Sequence, residues 1–543
     1  MRGIVRALAA ATISLAAASM SLAQSPPDPA LTQVFSDYQA WQRGMAGDYG
    51  PAAMARQTAA LAALQQRLAG IKLAGWSRGA KVDWLVVRSE MDRAEFTLKV
   101  TRPWARDPGF YLEPLQRLAF TPLPNASLAG RVRAIPAQLA AARLTLDAMA
   151  ADHVDLAIRS LDQSDGVEDG FPQRAVPPAG VIGWYRDLRG RAVREQPELV
   201  PDIDRAIAAL TAYRDWLKSA RPGVTARAGV GKARLDWYLR HALQMPYDSD
   251  AARTLGQREL ERMWAFLAIA EHRNRAVPAI AMAGNDADYK QRVAGTDARI
   301  RKFLVSSDFM TIPAGIPPTL SGMAVPPTYL EPYNVPFIRR ATPPNYWEQI
   351  QYRDPSPDHL HAVIPGHRMD LMLANAHPNP IRRAVLDGAR WQGWAVYLEE
   401  AALQAGFFDD RPQVKELIYH FGLWRAARTV GDIENQLNAK TAAEVATWWR
   451  KVTPFLDADV ARKYAHIRTL PGHGLEYTIG NVQMWELLAA ARHKQGERFN
   501  LRAFHDDFIR RGRIPMALIR YEMLGDDAME PALFARPPIP GEN

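Results

Sequence analysis

The chain has no cysteine anywhere in its 543 residues. Cysteine nucleophiles, thiolate metal sites, iron–sulfur clusters and disulfides are therefore excluded, and so is a lipid anchor carried on a cysteine after a leader. Any metal site must be built from histidine, carboxylate or amide oxygen. A chain this long buries enough core to fold without disulfide staples. Long apolar runs are scarce too. Beyond the N-terminus no stretch stays apolar over the ~20 residues that a membrane span needs, so membrane insertion is not expected. Alternating strand-like runs are few. Clustered charge is missing as well: the net charge is +9, and the excess is mostly arginine spread singly. With no zinc-finger spacing, no basic recognition helix and no aromatic RNA-binding signature, nucleic acid is not an expected partner.

What is present begins with a leader. Arg2 and Arg6 form a basic start, Ala7 to Met20 is apolar and Ala-rich, and Ser21-Leu22-Ala23 precedes Gln24. This pattern reads as a secretory signal (residues 1–23) cleaved after Ala23, and it predicts a periplasmic or secreted protein.

Apolar residues recur three and four apart in most of the remaining chain. The spacing predicts helices over Leu31–Met45, Ala52–Leu68, Val82–Val100, Ile203–Leu217, Ala233–Leu243 and Arg258–His272. It continues over Ala384–Ala405, Val414–Arg428, Ala442–Val452, Leu475–Ala491 and Leu501–Arg510. The expected fold is mainly α. Short strands are expected within Tyr329–Gln351, which is rich in Tyr and Pro without a helical period. Loops are expected over Gly166–Gly180 and Arg221–Gly231, and prolines gather between Pro313 and Pro357. The mature chain thus divides into an N-terminal helical half (24–312), a Pro-rich connection (313–357) and a C-terminal helical half (358–543). The chemistry is expected in the second half, with a cleft between the two.

Four of the twelve histidines, His359, His361, His367 and His377, fall close together. His361 and His367 are too far out of register to share a face of a straight helix of ~3.6 residues per turn. Pro365 also breaks the preceding turn, so the two converge only if Pro365-Gly366 bends the chain. His359 and His377 read as surface loop residues. Further on, Gln392 and Glu399 share one face of a helical segment that also carries Trp391, Trp394 and Tyr397.

His361-x-x-x-Pro365-Gly366-His367 followed by Gly393-Trp394-Ala395-x-Tyr397-x-Glu399 resembles the bacterial domain-of-unknown-function 885 family. Leu470-Pro471-Gly472, Leu475-x-Tyr477-x-x-Gly480, Phe504-His505-Asp506 and Gly512-x-x-Pro515 continue the resemblance over about residues 355 to 525. That family is similar to helical zinc metallopeptidases of the gluzincin type. The resemblance implies a metallopeptidase-like body in which His361 and His367 bind zinc or another divalent metal. No organic cofactor is implied. It further implies that Tyr477 and His505 bond an oxyanion or the substrate, and that Glu399 supports the site from behind. Departures matter as much. Ala362 stands where the family usually has the water-activating Glu, Gln392 where it has the third ligand, and Arg368 where a second His follows the Pro-Gly-His. His473 and Glu476 replace the usual Gln and Ser.

Ala362 cannot accept a proton from metal-bound water, and an amide ligand holds zinc less well than a carboxylate. The standard peptidase mechanism is therefore not expected. Three readings follow. One is an altered enzyme, a lyase or hydrolase acting on a small organic or peptide-like substrate. In it Glu476, Tyr477 and His505 are catalytic, and Gln392, Trp394, Arg368 and His473 line the substrate. The others are a conventional zinc peptidase or esterase, and an inactive protein that binds a peptide or partner.

Overall fold

The computed structural model describes residues 27–456 and 471–541, apart from 46, 164–177, 318–343 and 345. Among the described residues every regular element is a helix, as the periodicity predicts. Helix starts follow side-chain chemistry. Asp28, Ser77, Asp248, Asn285 and Asn500 each accept hydrogen bonds from backbone N–H groups of the turn they open. Thr441 and Glu444 form a reciprocal capping box ahead of Ala442–Val452. Two expected helices end differently from a plain α-helix: Arg78–Phe96 runs into a π turn at Thr97–Thr101, and Lys232–Trp237 into one at Tyr238–Ala242.

The strands expected within Tyr329–Gln351 are partly a matter of residues outside the described set. The described end corrects the expectation, because Tyr346–Arg353 is a helix. Glu348 sits in its first turn, where the positive helix end favours a carboxylate, and Ile350 packs into the core. The loop expected over Gly166–Gly180 lies largely outside the described residues.

The main apolar core draws on residues from both sides of the Pro-rich connection, from Leu31 to Met310 and from Leu360 to Leu533, and on Ile316 and Ile350 within it. A second, separate core lies within Leu112–Leu217. Buried ion pairs also join distant parts of the chain. Arg382 donates to Asp83 at 2.7 Å and to both oxygens of Glu522 at 2.9 Å, which ties Arg78–Phe96 to the C-terminal helices.

Two glycines decide where the central helices cross. Gly388–Gln404 and Leu475–Gln495 touch backbone to backbone. A Cβ on Gly393 would lie 2.3 Å from the Gly480 carbonyl carbon, and one on Gly480 would lie 2.2 Å from the Ala389 oxygen. No other residue type allows that approach. The contact brings Gln392 and Tyr477 to the same place.

Candidate functional site

The site starts from a bend. Ser356–Ala362 ends where Ile364-Pro365 turns through a cis peptide, and His367–Asn375 begins at once. The chain folds back so tightly that a Cβ on Gly366 would lie 1.9 Å from the His361 oxygen. The Trp394 indole donates to the Pro365 carbonyl at 3.1 Å and holds the bend from behind. His361 and His367, out of register on any straight helix, thereby come together with ring centroids 4.6 Å apart at 81°.

His361 Nδ1 lies 2.8 Å from Glu399 Oε1. A carboxylate at that distance only accepts, so Nδ1 carries the proton and Nε2 the lone pair. Arg425 spans Glu399 with both terminal nitrogens, at 2.6 and 2.8 Å. Burial would raise the Glu399 carboxyl, but Arg425 and His361 hold it below the usual carboxylate range. Burial also pushes His361 below the ordinary imidazole value, so it is neutral at pH 7. His367 falls further, again through burial and then through its neighbour His361.

His367 stacks on Trp391, with centroids 4.2 Å apart at 9°. Its Nε2 lies 3.2 Å from Gln392 Oε1, so that nitrogen is the one that donates.

A second His–Glu–Arg set lies beside the first. His473 Nδ1 donates to Glu476 Oε2 at 3.1 Å, and Arg428 Nη2 donates to His473 Nε2 at 3.3 Å. Arg425 and Arg428, three apart on Val414–Gln436, share one face of that helix. Tyr477 stands between the two sets. Its ring lies 6.5 Å from that of His361, nearly parallel, and 6.3 Å from that of His473, with the Arg428 guanidinium 4.3 Å over its face. Glu476 reaches the start of Gly388–Gln404, where a Cβ on Gly388 would lie 2.1 Å from its carboxyl group. Gly388 and Gln392 are one turn apart on one face, so Glu476 sits about a turn from Gln392. Gln392, Arg425, His473, Glu476 and Tyr477 are all partly exposed, and the histidine pair is buried behind them.

The structure thus gathers His361, His367, Gln392, His473, Glu476 and Tyr477 into one constellation, with Glu399 behind His361. It does not gather Trp394 and His505 there. Trp394 is fully buried behind the bend. His505 is fully buried too, accepting from the Tyr397 hydroxyl at 2.7 Å and donating Nδ1 to the Phe309 carbonyl at 2.7 Å. Burial takes its pKa down to about 4. Arg368 is buried in the first turn after the bend.

His359 and His377 are corrected from surface to interior. His359 is fully buried against Asp297 at 3.1 Å. His377 accepts from the Asn379 N–H at 3.0 Å and donates to the Arg510 carbonyl at 3.2 Å. Both are interior because polar partners satisfy them there. The sequence reading missed Arg425, Arg428 and Asp358. The two arginines carried a signal, being charges set among Leu423, Trp424, Ala426 and Ala427 in a helix otherwise apolar at that point. Asp358, one turn before His361, is pushed up to about 8 by burial and then by the charge of Glu399.

For zinc, the donors at the bend are two imidazoles and one amide oxygen. The nearest carboxylate, Glu399, is committed to Arg425 and His361. Among the described residues no group of three or more His, Asp or Glu is arranged to hold a metal ion. Two imidazoles and one amide oxygen, with no third imidazole or uncommitted carboxylate, do not fit a zinc site.

Among the described residues the body is all helical, with a polar constellation on a Pro-Gly bend. The chain belongs to the family described as "Bacterial protein of unknown function (DUF885)", whose model matches residues 32–310 and 351–523. Two solved structures share the fold. One is described as "a putative lipoprotein of unknown function from Shewanella oneidensis"; it is 16% identical with a TM-score of 0.68. The other, "the putative lipoprotein from Colwellia psychrerythraea", is 14% identical with a TM-score of 0.66. Each match covers 91% of this chain and 99% of the other. No curated protein matches the chain.

Proposed function

We propose that this protein is an exported enzyme on a metallopeptidase-like scaffold, doing acid–base chemistry as a lyase or hydrolase on a small organic or peptide-like substrate. The observation that carries the reading is the pair of imidazoles, His361 and His473, each with Nδ1 held by a carboxylate, on either side of Tyr477. A carboxylate on Nδ1 fixes the tautomer that leaves Nε2 basic, and it stabilises the imidazolium that forms when Nε2 takes a proton. Arg425 keeps Glu399 ionised for that task. His473 with Glu476 is the more exposed set, and its Nε2 accepts from Arg428 and positions that guanidinium beside Tyr477. The Tyr477 hydroxyl and Arg428 are the donors for a developing oxyanion. Export is supported by the leader-like N-terminus and by the words used for the two structural neighbours.

A conventional zinc peptidase needs carboxylates at the positions of Ala362 and Gln392, so that reading has less support. The test is a panel of esters, amides and small acids prone to elimination, assayed with a chelator present. Turnover that drops by about 100-fold or more in His361→Ala is the expected result. Turnover indifferent to that change contradicts the proposal, and tight binding without turnover establishes the binding-protein reading instead.

A further inference from the structure

Glu399 and Arg425 also line a pocket of about 370 Å³, its open mouth included, that the acid–base chemistry does not use. Ser249–Asn274, Gly388–Gln404, Val414–Gln436 and Leu475–Gln495 enclose it. Two of these helices lead there from the polar constellation. Gly388 lies against Glu476, Gly393 against Gly480 and Tyr397 against Trp485, so the two run in the same direction. One turn beyond Gln392 stands Val396, and one turn beyond Tyr477 stands Asn481, both in the pocket wall. The volume is at the low end of the ~300–1,000 Å³ of ligand pockets, so the space suits one small group of a larger molecule.

The wall decides which group. Met263, Val396 and Ile418 make it largely apolar. Its carboxylates are already committed. Glu399 is held by His361 and Arg425, Glu400 takes Arg262 at 2.6 and 3.0 Å, and Glu259 takes the same guanidinium at 2.7 Å. A charged group entering the pocket would find no uncommitted counter-charge. Asn481 differs from these. It is 4% exposed, and its carboxamide oxygen meets no donor among the described residues. A buried acceptor left in that state is costly until something fills it. The same carboxamide carries a two-proton donor nitrogen in the plane of the oxygen. A ligand that answers both has an N–H beside a C=O, which is another amide. Thr478, three residues earlier on the same helix face, adds a hydroxyl.

We infer that this pocket holds an amide group of the substrate, selected by the Asn481 carboxamide, about one helical turn along from Tyr477. The inference rests on the acid–base reading and narrows its substrate to the peptide-like kind. It is tested by binding without turnover, so its failure leaves that reading standing, and failed turnover leaves the pocket standing. The full chain is titrated by ligand-observed NMR with butyramide and N-methylbutyramide, which separate a primary carboxamide from a peptide unit. Butyrate, n-butylammonium and 2-pentanone are the controls of similar size without an amide. One or both amides are expected to bind, with each control at least about 10-fold weaker. Asn481→Leu, nearly equal in size, is expected to weaken the amide by about 10-fold or more and to leave 2-pentanone unchanged. Thr478→Val, which keeps the shape of the side chain, is expected to cost about 3-fold and serves should Asn481→Leu fail to fold, as circular dichroism would show. An amide that binds no better than 2-pentanone overturns the inference, as does tighter binding of n-butylammonium or butyrate. So does amide binding that a folded Asn481→Leu protein retains in full, or that Thr478→Val retains in full where Asn481→Leu is unfolded. Binding of none of the probes means that the pocket holds water only, and overturns it too.

Discussion

At the scale of single residues, Glu399 is the hinge of the account. It is almost fully buried and satisfies Arg425 and His361 at once. Glu399→Ala leaves a largely buried guanidinium without its counter-charge and is expected to cost about 3–5 kcal/mol in denaturant unfolding. Asp358 makes a pH prediction. Its folded pKa of about 8 lies above the ordinary 3.8, so the native state holds a proton that the unfolded chain has released. Its contribution to stability is complete below about pH 4 and is lost as pH rises towards 8. Relative to wild type, Asp358→Asn should therefore gain stability by up to about 1.4 kcal/mol per pH unit between 5 and 8, and no further above that. Unfolding curves at pH 5 to 9 check this. The histidines show what a sequence reveals at this scale. The Pro365-Gly366 bend was legible, because helix pitch and a proline ring together forbid any other way for His361 and His367 to meet. The burial of His359 and His377 was not. Their partners, Asp297 and the Arg510 carbonyl, come from helices that no local pattern connects to them. Arg425 was missed for the same reason, since its role appears only once Glu399 is beside it.

At the scale of elements, the site depends on close backbone contacts. Gly480→Ala drives a methyl group into the Ala389 carbonyl and separates the helices that carry Gln392 and Tyr477. The expected loss is about 3 kcal/mol or more by denaturant unfolding, well above the ~1–3 kcal/mol of ordinary overpacking, since backbone cannot step aside as a side chain does. Helix positions were legible from periodicity because each helix has a buried stripe. The Gly393–Gly480 crossing was not, because a glycine in a helical period carries no sign of which glycine it meets. The helix at Tyr346–Arg353 was obscured by the prolines before it, which suggested extended chain.

At the scale of the whole molecule, packing joins what the sequence punctuation separates. The main core mixes residues from before and after the Pro-rich connection, and Arg382 binds Asp83 across the same span. A fragment of residues 358–543 would expose one side of that core. It is expected to lack the near-ultraviolet circular dichroism of a fixed tertiary structure, whereas the full chain shows it. The central claim is that Glu399 and Arg425 hold His361 as a neutral base, and side-chain nitrogen NMR of ¹⁵N-histidine-labelled protein at pH 7 tests it most directly. The account predicts a neutral His361 with its proton on Nδ1 and a basic Nε2, unchanged by added zinc and altered by Glu399→Gln. A proton on Nε2, a charged ring, or a zinc-induced shift at both His361 and His367 would contradict it.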